Sequence, residues 1–293
     1  MYDIESLYEA RSVDDACRAL AADPQAIVVA GGTDVLVKCR EGKLAGAHLV
    51  SIHNLTDELS GVRLAQDGTV EIGPTTWFHS VTTSPVAQRT VQTLCDACDT
   101  PGGPQLRVSG TIGGNVCNAA TSADTASTLL AYGALLDVRS VRGTRTIPIG
   151  EWYTGPGSCV RERDEVLVGI RIPRASYEGW TGHYFKYGKR RALEIATMGC
   201  CCLVRLSADK ARVEDIRLAF GVAAPTPIRA RGAEDGVRGL TVADAAEKIG
   251  LLAQRDTSPR DSWRASREFR LQLIKEMSRR SLIEAARRGG ADI

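Results

Sequence analysis

Aromatic residues make up only 5% of this 293-residue chain. That is too few for the rows of stacking rings that line single-stranded nucleic-acid grooves. Charge of one sign is equally scarce. The formal net charge is +2, which excludes polyanion binding by bulk charge. The basic pairs Arg279-Arg280 and Arg287-Arg288 have acids interspersed around them and read as a solvated helix face. No apolar run reaches the length of a bilayer span. The opening Met1-Tyr2-Asp3-Ile4-Glu5 is acidic with no long apolar run behind it, which argues against a secretory leader and makes the cytoplasm the expected compartment. Also missing are G-x-S-x-G, H-E-x-x-H and Walker A signatures. His48, His53, His79 and His183 are scattered and form no acid–base couple with a neighbour in sequence. No catalytic side chain is expected.

Cysteine, in contrast, is plentiful, with nine residues. Their spacing decides what they do. Cys95 and Cys98 have ligand-like spacing, but the segment Thr93-Leu94-Cys95-Asp96-Ala97-Cys98 reads as helix and no second C-x-x-C accompanies it. Cys200-Cys201-Cys202 sit in an apolar strand, where adjacent side chains point to opposite faces and cannot share one metal. Buried thiols and no metal site are therefore expected.

The chain has room for two domains. Helical spacing of Val13, Ala16, Cys17 and Leu20 predicts a helix over 12–22, with Ser12 and Asp15 as a capping box. A buried strand Ala26–Ala30 follows, then a short apolar segment Val35–Lys38 and a second strand His48–Ile52. This small α/β unit lacks G-x-G-x-x-G and its acidic partner, which counts against a free-standing nicotinamide-binding domain. Beyond Leu55 the pattern changes to short strands, Gly61–Leu64, Thr69–Gly73, Ala134–Val138, Arg145–Pro148 and Asp164–Pro173. A hairpin turn is expected at Gln66-Asp67-Gly68, one helix over Pro85–Cys98, and another after Asp124. The domain boundary is placed near Ser176. The second domain should hold strands at His183–Tyr187, Met198–Leu206 and Val213–Val222, a sheet end at Pro225 and Pro227, and helices Val242–Leu252 and Ser266–Glu284.

Two glycine-rich stretches carry the functional signal. In Ala30-Gly31-Gly32-Thr33-Asp34 a strand enters a turn where glycine permits positive φ and lets N–H groups approach an anion. Thr33 adds a hydroxyl, and Asp34 can accept a sugar hydroxyl or hold the loop. The second, Gly110-Thr111-Ile112-Gly113-Gly114-Asn115, has the same character and leads into a polar run with Asn118, Thr121, Ser122 and Asp124. Asp124 can cap the helix that follows, as can Thr125, or accept from a ribitol or ribose hydroxyl. Two such loops suggest one diphosphate held between two lobes by backbone N–H groups, as a dinucleotide cofactor requires.

These loops resemble those of the FAD-binding subunits of the molybdenum hydroxylases. So do Gly103-Pro104-Gln105-Leu106-Arg107, Phe185-Lys186-Tyr187 and Ala219-Phe220-Gly221-Val222-Ala223-Ala224-Pro225. The likeness runs over essentially the whole chain. Thr154-Gly155-Pro156-Gly157 and the tail Ser262-Trp263-Arg264-Ala265-Ser266-Arg267 bring it nearest to the flavin subunits of bacterial three-subunit xanthine dehydrogenases. The resemblance implies an α+β architecture: a FAD-binding fold of the vanillyl-alcohol oxidase/PCMH type over 1–176, with subdomains 1–55 and 56–176, and a C-terminal sheet-and-helix domain over 177–293.

It implies FAD as cofactor. Val28, Val29, Ala30, Gly31, Gly32, Thr33, Asp34 and Val35 would wrap the diphosphate from one side. Thr111, Gly113, Gly114, Asn115 and Thr121 would face it from the other, with Asp124 near ribitol or ribose hydroxyls. Leu167 would pack on a ring. Lys186 would bring its cation toward the flavin, although taken alone it reads as a snorkelling strand residue. Leu193 or Glu194 stands where the family often has an acid. The implied partners are a molybdopterin-binding large subunit and a small subunit with 2Fe–2S clusters, in a heterotrimeric assembly. NAD+ is the implied acceptor and a purine the implied substrate. Aldehydes or N-heterocycles with another acceptor, or a flavin-free scaffold, are the competing readings.

Overall fold

The computed structural model describes residues 2–293. Ser12 caps the helix Val13–Ala22, accepting the Asp15 N–H at 3.1 Å, while the Asp15 carboxylate takes the Arg11 N–H at 2.9 Å. Burying Val13, Ala16, Cys17 and Leu20, this helix covers a parallel sheet of β1 (Ile4–Glu9), β2 (Ala26–Val29) and β3 (Ala47–Ser51), ordered β1-β3-β2. Strand β1 is an addition to the sequence reading. It is a sheet edge exposed along nearly its whole length, so no apolar alternation marks it. The apolar segment after the first glycine loop is a helix, Val35–Arg40.

A five-stranded antiparallel sheet follows, made of β4 (Val62–Leu64), β5 (Val70–Ile72), β6 (Leu135–Ser140), β7 (Gly143–Pro148) and β10 (Val166–Ile172). Strand β10 lies at its centre, between β5 and β6, and the small hairpin β8–β9 (Tyr153–Gly155, Ser158–Cys159) stands apart. The helix expected over Pro85–Cys98 is two helices, Pro85–Thr90 and Gln92–Cys98. They break at Val91, whose φ of −130° and ψ of 46° lie outside the helical region.

The third sheet is antiparallel, ordered β11 (Thr181–Tyr187), β12 (Met198–Leu206), β13 (Val213–Gly221) and β14 (Ile228–Arg229). It does not end at Pro225 and Pro227. Two residues beyond them suffice for a short edge strand, because a proline before the strand removes no ladder donor from it. Also unread in the sequence is the helix Arg231–Val237, whose interior holds Gly232 and Gly236 and so has weak intrinsic propensity. The last two helices extend further than expected, to Arg255 and Arg288.

Strand β12 shows why three cysteines can stand in a row. Cys201 and Leu203 join the core around Leu94, Leu136 and Trp152, whereas Cys200 and Cys202 face Ile249, Ile274 and Met277 of the C-terminal helices. A strand covered on both faces reads as a continuous apolar run. All nine cysteines are free thiols, and among the described residues no group of three potential ligands could hold a metal.

Fully buried Trp152 ties this core to the second glycine loop by donating its indole N–H to the Val116 carbonyl at 3.1 Å. Trp152→Phe would keep most of the ring and remove this bond, while the Val116 carbonyl keeps the Ala119 N–H at 3.2 Å. A loss of about 0.5–1.5 kcal/mol is expected in urea unfolding.

Candidate functional site

The first glycine loop leaves β2 and turns into the helix Val35–Arg40. Gly32 has a φ of +69°, which an L side chain rarely adopts. At Gly31 a Cβ would lie 1.9 Å from the carbonyl oxygen of Ser109, so the strand-end loop sits directly against the segment leading into the second loop. The backbone N–H groups of Gly31, Gly32, Thr33 and Asp34 donate to no acceptor among the described residues. Successive unused amides in such a turn form an anion-binding concavity. Asp34 pairs with Lys38 at 2.5 Å, and Lys38 also donates to Asn118 Oδ1 at 2.9 Å. Of its two expected uses, holding the loop is the one the bonding shows.

The second loop is built differently. Thr111 caps the short helix Ile112–Cys117, its hydroxyl accepting the Gly114 N–H at 3.1 Å. The Gly113 N–H donates to Pro74 O at 2.8 Å and the Asn115 N–H to Thr111 O at 3.1 Å. The expected second cradle of free N–H groups is therefore not present, because the start of the helix takes the donors of Gly114 and Asn115 and the Pro74 carbonyl takes that of Gly113. Glycine is required here for packing: a Cβ on Gly113 would lie 2.4 Å from that of Pro74. Asn115 Oδ1 accepts from both the N–H and the hydroxyl of Thr125, at 3.3 and 2.6 Å, leaving its amide NH2 as the polar group this loop offers.

Asp124 does not cap its helix, since Ala123 holds the cap position and Asp124 is the first helical residue. Its carboxylate accepts from Tyr184 Oη at 2.9 Å and from Lys186 Nζ at 3.0 Å, and Lys186 also donates to the Thr100 carbonyl at 3.0 Å. Burial raises the Asp124 carboxyl above its ordinary range, against the opposing pull of Lys186. Burial first, and then the Asp124 charge, push the Tyr184 hydroxyl well up. Strands β11 and the helix Asp124–Tyr132 thus meet through a buried three-residue polar contact.

These elements enclose a cleft of about 840 Å3 that runs between the two loops, within the size range of small-molecule and cofactor sites. Val28, Ala30, Gly31, Gly32, Thr33, Asp34 and Val35 line it, together with Thr111, Gly113, Gly114, Asn115, Asp124 and Leu167. Three expected residues do not: Val29 is buried in a small core with Cys39 and Leu49, Thr121 gives its carbonyl to the Val222 N–H, and Lys186 stands behind Asp124. Leu193, with a φ of +54°, and Glu194 both reach the cleft wall, and Glu194 is held by Arg190 at 3.0 Å.

Sequence reasoning missed Lys38 and Arg161. Lys38 lies one helical turn after Asp34 and could have been found by that spacing. Arg161 gave no signal, because it reaches the cleft only through the turn before β10. Its Nη1 donates to carbonyls of Glu162 and Glu165, while its Nε is buried with no partner among the described residues. Buried donors without partners, beside unused amides, suit a polyanionic ligand.

Two family models cover the chain. Residues 2–175 match the FAD binding domain in molybdopterin dehydrogenase, and residues 183–285 match the CO dehydrogenase flavoprotein C-terminal domain. The chain is 42% identical over 294 residues to the xanthine dehydrogenase FAD-binding subunit of Escherichia coli O157:H7, with 100% of both chains covered. It is 28% identical over 256 residues to the carbon monoxide dehydrogenase medium chain of Hydrogenophaga pseudoflava, covering 87% of each. A solved carbon monoxide dehydrogenase from Hydrogenophaga pseudoflava superposes with a TM-score of 0.92 at 27% identity, covering 99% of both chains. The α+β fold is thus the FAD-binding fold of the vanillyl-alcohol oxidase/PCMH type followed by a sheet-and-helix domain. Among the described residues no helix is long and apolar enough to cross a membrane. An amide-lined cleft, two matched domains and full-length identity converge: the chain belongs to the FAD-binding electron-transfer subunits of the molybdopterin hydroxylases.

Proposed function

We propose that this chain is the flavin subunit of a xanthine dehydrogenase, working in the cytoplasm with a molybdopterin-binding large subunit and a small 2Fe–2S subunit, and passing electrons to NAD+. The observation that carries this reading is the 42% identity over both full lengths to a xanthine dehydrogenase FAD-binding subunit, against 28% to a carbon monoxide dehydrogenase medium chain. Nine free thiols suit a reducing compartment.

FAD, when bound, accepts electrons singly and releases them as a pair, which a chain of side chains cannot do. The protein's part is binding and electrostatics. The amides of Gly31 to Asp34 hold the diphosphate, with Lys38 and Arg161 adding positive charge. Asn115 and Asp124 take polar groups of the ribityl or ribose chains, and Leu167 supplies an apolar wall. Lys186 and Tyr184 hold the Asp124 carboxylate in one orientation. The natural division of the chain is 1–176, in two parts joined near residue 55, and 177–293.

The test is purification of the chain with its two partner subunits, followed by xanthine-dependent NADH formation. NADH formation with a purine supports the reading. Turnover only with an aldehyde or N-heterocycle, or only with oxygen or a quinone, replaces the substrate or the acceptor.

A further inference from the structure

Between the helices Val242–Arg255 and Arg267–Arg288 the chain makes a tight turn, with Ser262 and Ala265 exchanging backbone hydrogen bonds at 3.0 and 3.2 Å. Arg270, only 2% exposed, fastens this turn from beneath: it donates to Ser262 Oγ at 2.8 Å and to the Arg260 carbonyl. Asp261 accepts the Arg267 N–H at 2.7 Å. The turn is therefore rigidly held, and at its tip Trp263 is 78% exposed. A guanidinium and an ammonium group flank the indole, Arg264 at 4.3 Å and Lys189 at 5.6 Å from the ring centroid.

Charge sets this surface apart. The segments 188–195 and 260–270 hold seven lysines and arginines against three carboxylates, an excess of four in a chain whose total is +2. Of those seven cations, only Arg190 has a carboxylate within ion-pair distance among the described residues. The same two segments carry four exposed large apolar side chains: Trp263, Phe269, Leu193 and Ile195. They are joined by the Lys189–Trp263 contact and by an edge-on contact of Tyr187 with Phe269 at 5.7 Å. Leu193 and Ile195 also line the flavin cleft, so the patch borders its mouth.

We propose that this cationic, tryptophan-tipped surface is where an acidic face of the electron-carrying partner protein docks. Tryptophan and arginine are residue types enriched among the few that carry most of the binding energy at protein interfaces, and cations without carboxylate partners beside Trp263 select a negative partner and speed its encounter. The other exposed ring, Phe269, packs edge-on against Tyr187 and not against Trp263, so the two form no stacking row of the kind a polynucleotide uses. The position beside the cleft serves the function, since electrons must enter there. The inference rests on the reading of the chain as one subunit of an electron-transfer complex.

The test uses the full chain loaded with FAD and the separately purified iron–sulfur and molybdopterin subunits. Trp263→Ala is expected to weaken assembly by about thirtyfold or more, as for a hot-spot residue. Lys189→Glu with Arg264→Glu should weaken it further and flatten its dependence on salt, with flavin content unchanged. Among the described residues Lys189 takes no part in the hydrogen bonds that hold the turn, so Lys189→Glu alone leaves those bonds in place. Normal assembly and normal salt dependence in all three variants overturns the proposal. So does a loss confined to NADH binding, which would make the patch a nucleotide site. A complex that forms normally but makes no NADH from xanthine counts against the substrate reading alone, because assembly is measured by sedimentation and not by turnover.

Discussion

Gly31→Ala is expected to lower the affinity for FAD by about tenfold or more. The added Cβ would stand 1.9 Å from Ser109 O and 2.9 Å from Ser109 C. Both are backbone atoms, so no rotamer change removes the clash and the two loops must part. Overpacking of this kind costs about 1–3 kcal/mol, and about 1.4 kcal/mol is a factor of ten in binding. Parting the loops moves the four free amides of Gly31 to Asp34 away from the opposite wall. Flavin retained per chain after gel filtration, with a dissociation constant from fluorescence titration, reads the effect. Gly155→Ala is the control, since a Cβ there meets nothing within 4 Å. A Gly31→Ala protein with wild-type flavin affinity would remove the amide turn from the diphosphate site.

Asp124→Ala is expected to be the most destabilising substitution in the site. It leaves the Lys186 ammonium, 12% exposed, and the buried Tyr184 hydroxyl without their shared acceptor. Breaking a buried ion pair from one side costs about 3–5 kcal/mol, because the remaining charge is uncompensated. Asp124→Ala with Lys186→Met should recover part of that loss, since the double change removes both charges. Chemical unfolding of the four proteins in this cycle decides it. Additive losses would mean the pair is not coupled. The pH dependence has a definite sign. Burial raises the folded-state pKa of Asp124, so the stability this group contributes is fully present below the ordinary carboxylate pKa. It is lost as pH rises through the raised value. The margin of wild type over Asp124→Asn should therefore narrow with rising pH in that window.

Much of the fold was legible because its signals are local. The Ser12 cap, the Ala26–Val29 strand and the Asp67-Gly68 turn each depend on residues a few positions apart. What escaped had no local signal. Strand β1 is an exposed edge, the helix Arg231–Val237 is weakened by two glycines, and Val91 breaks a helix through backbone angles that no residue type announces. In the site, glycine was expected where N–H groups approach an anion, whereas the close approaches the fold shows are to the protein's own atoms, Ser109 for Gly31 and Pro74 for Gly113. Gly113 yields to Pro74, and the Gly114 amide is consumed by its own helix cap.

The helix caps, the tight turns and the loop position Gly32 that favours glycine were determined by the chain's own sequence, since each is a matter of neighbouring residues and their steric limits. Which loop keeps free amides, and that Lys186 faces Asp124 across 62 positions, were decided only by the tertiary structure. Hydrogen-bond donors are allotted by whichever acceptor folding brings within reach, and that competition is settled between segments far apart along the backbone.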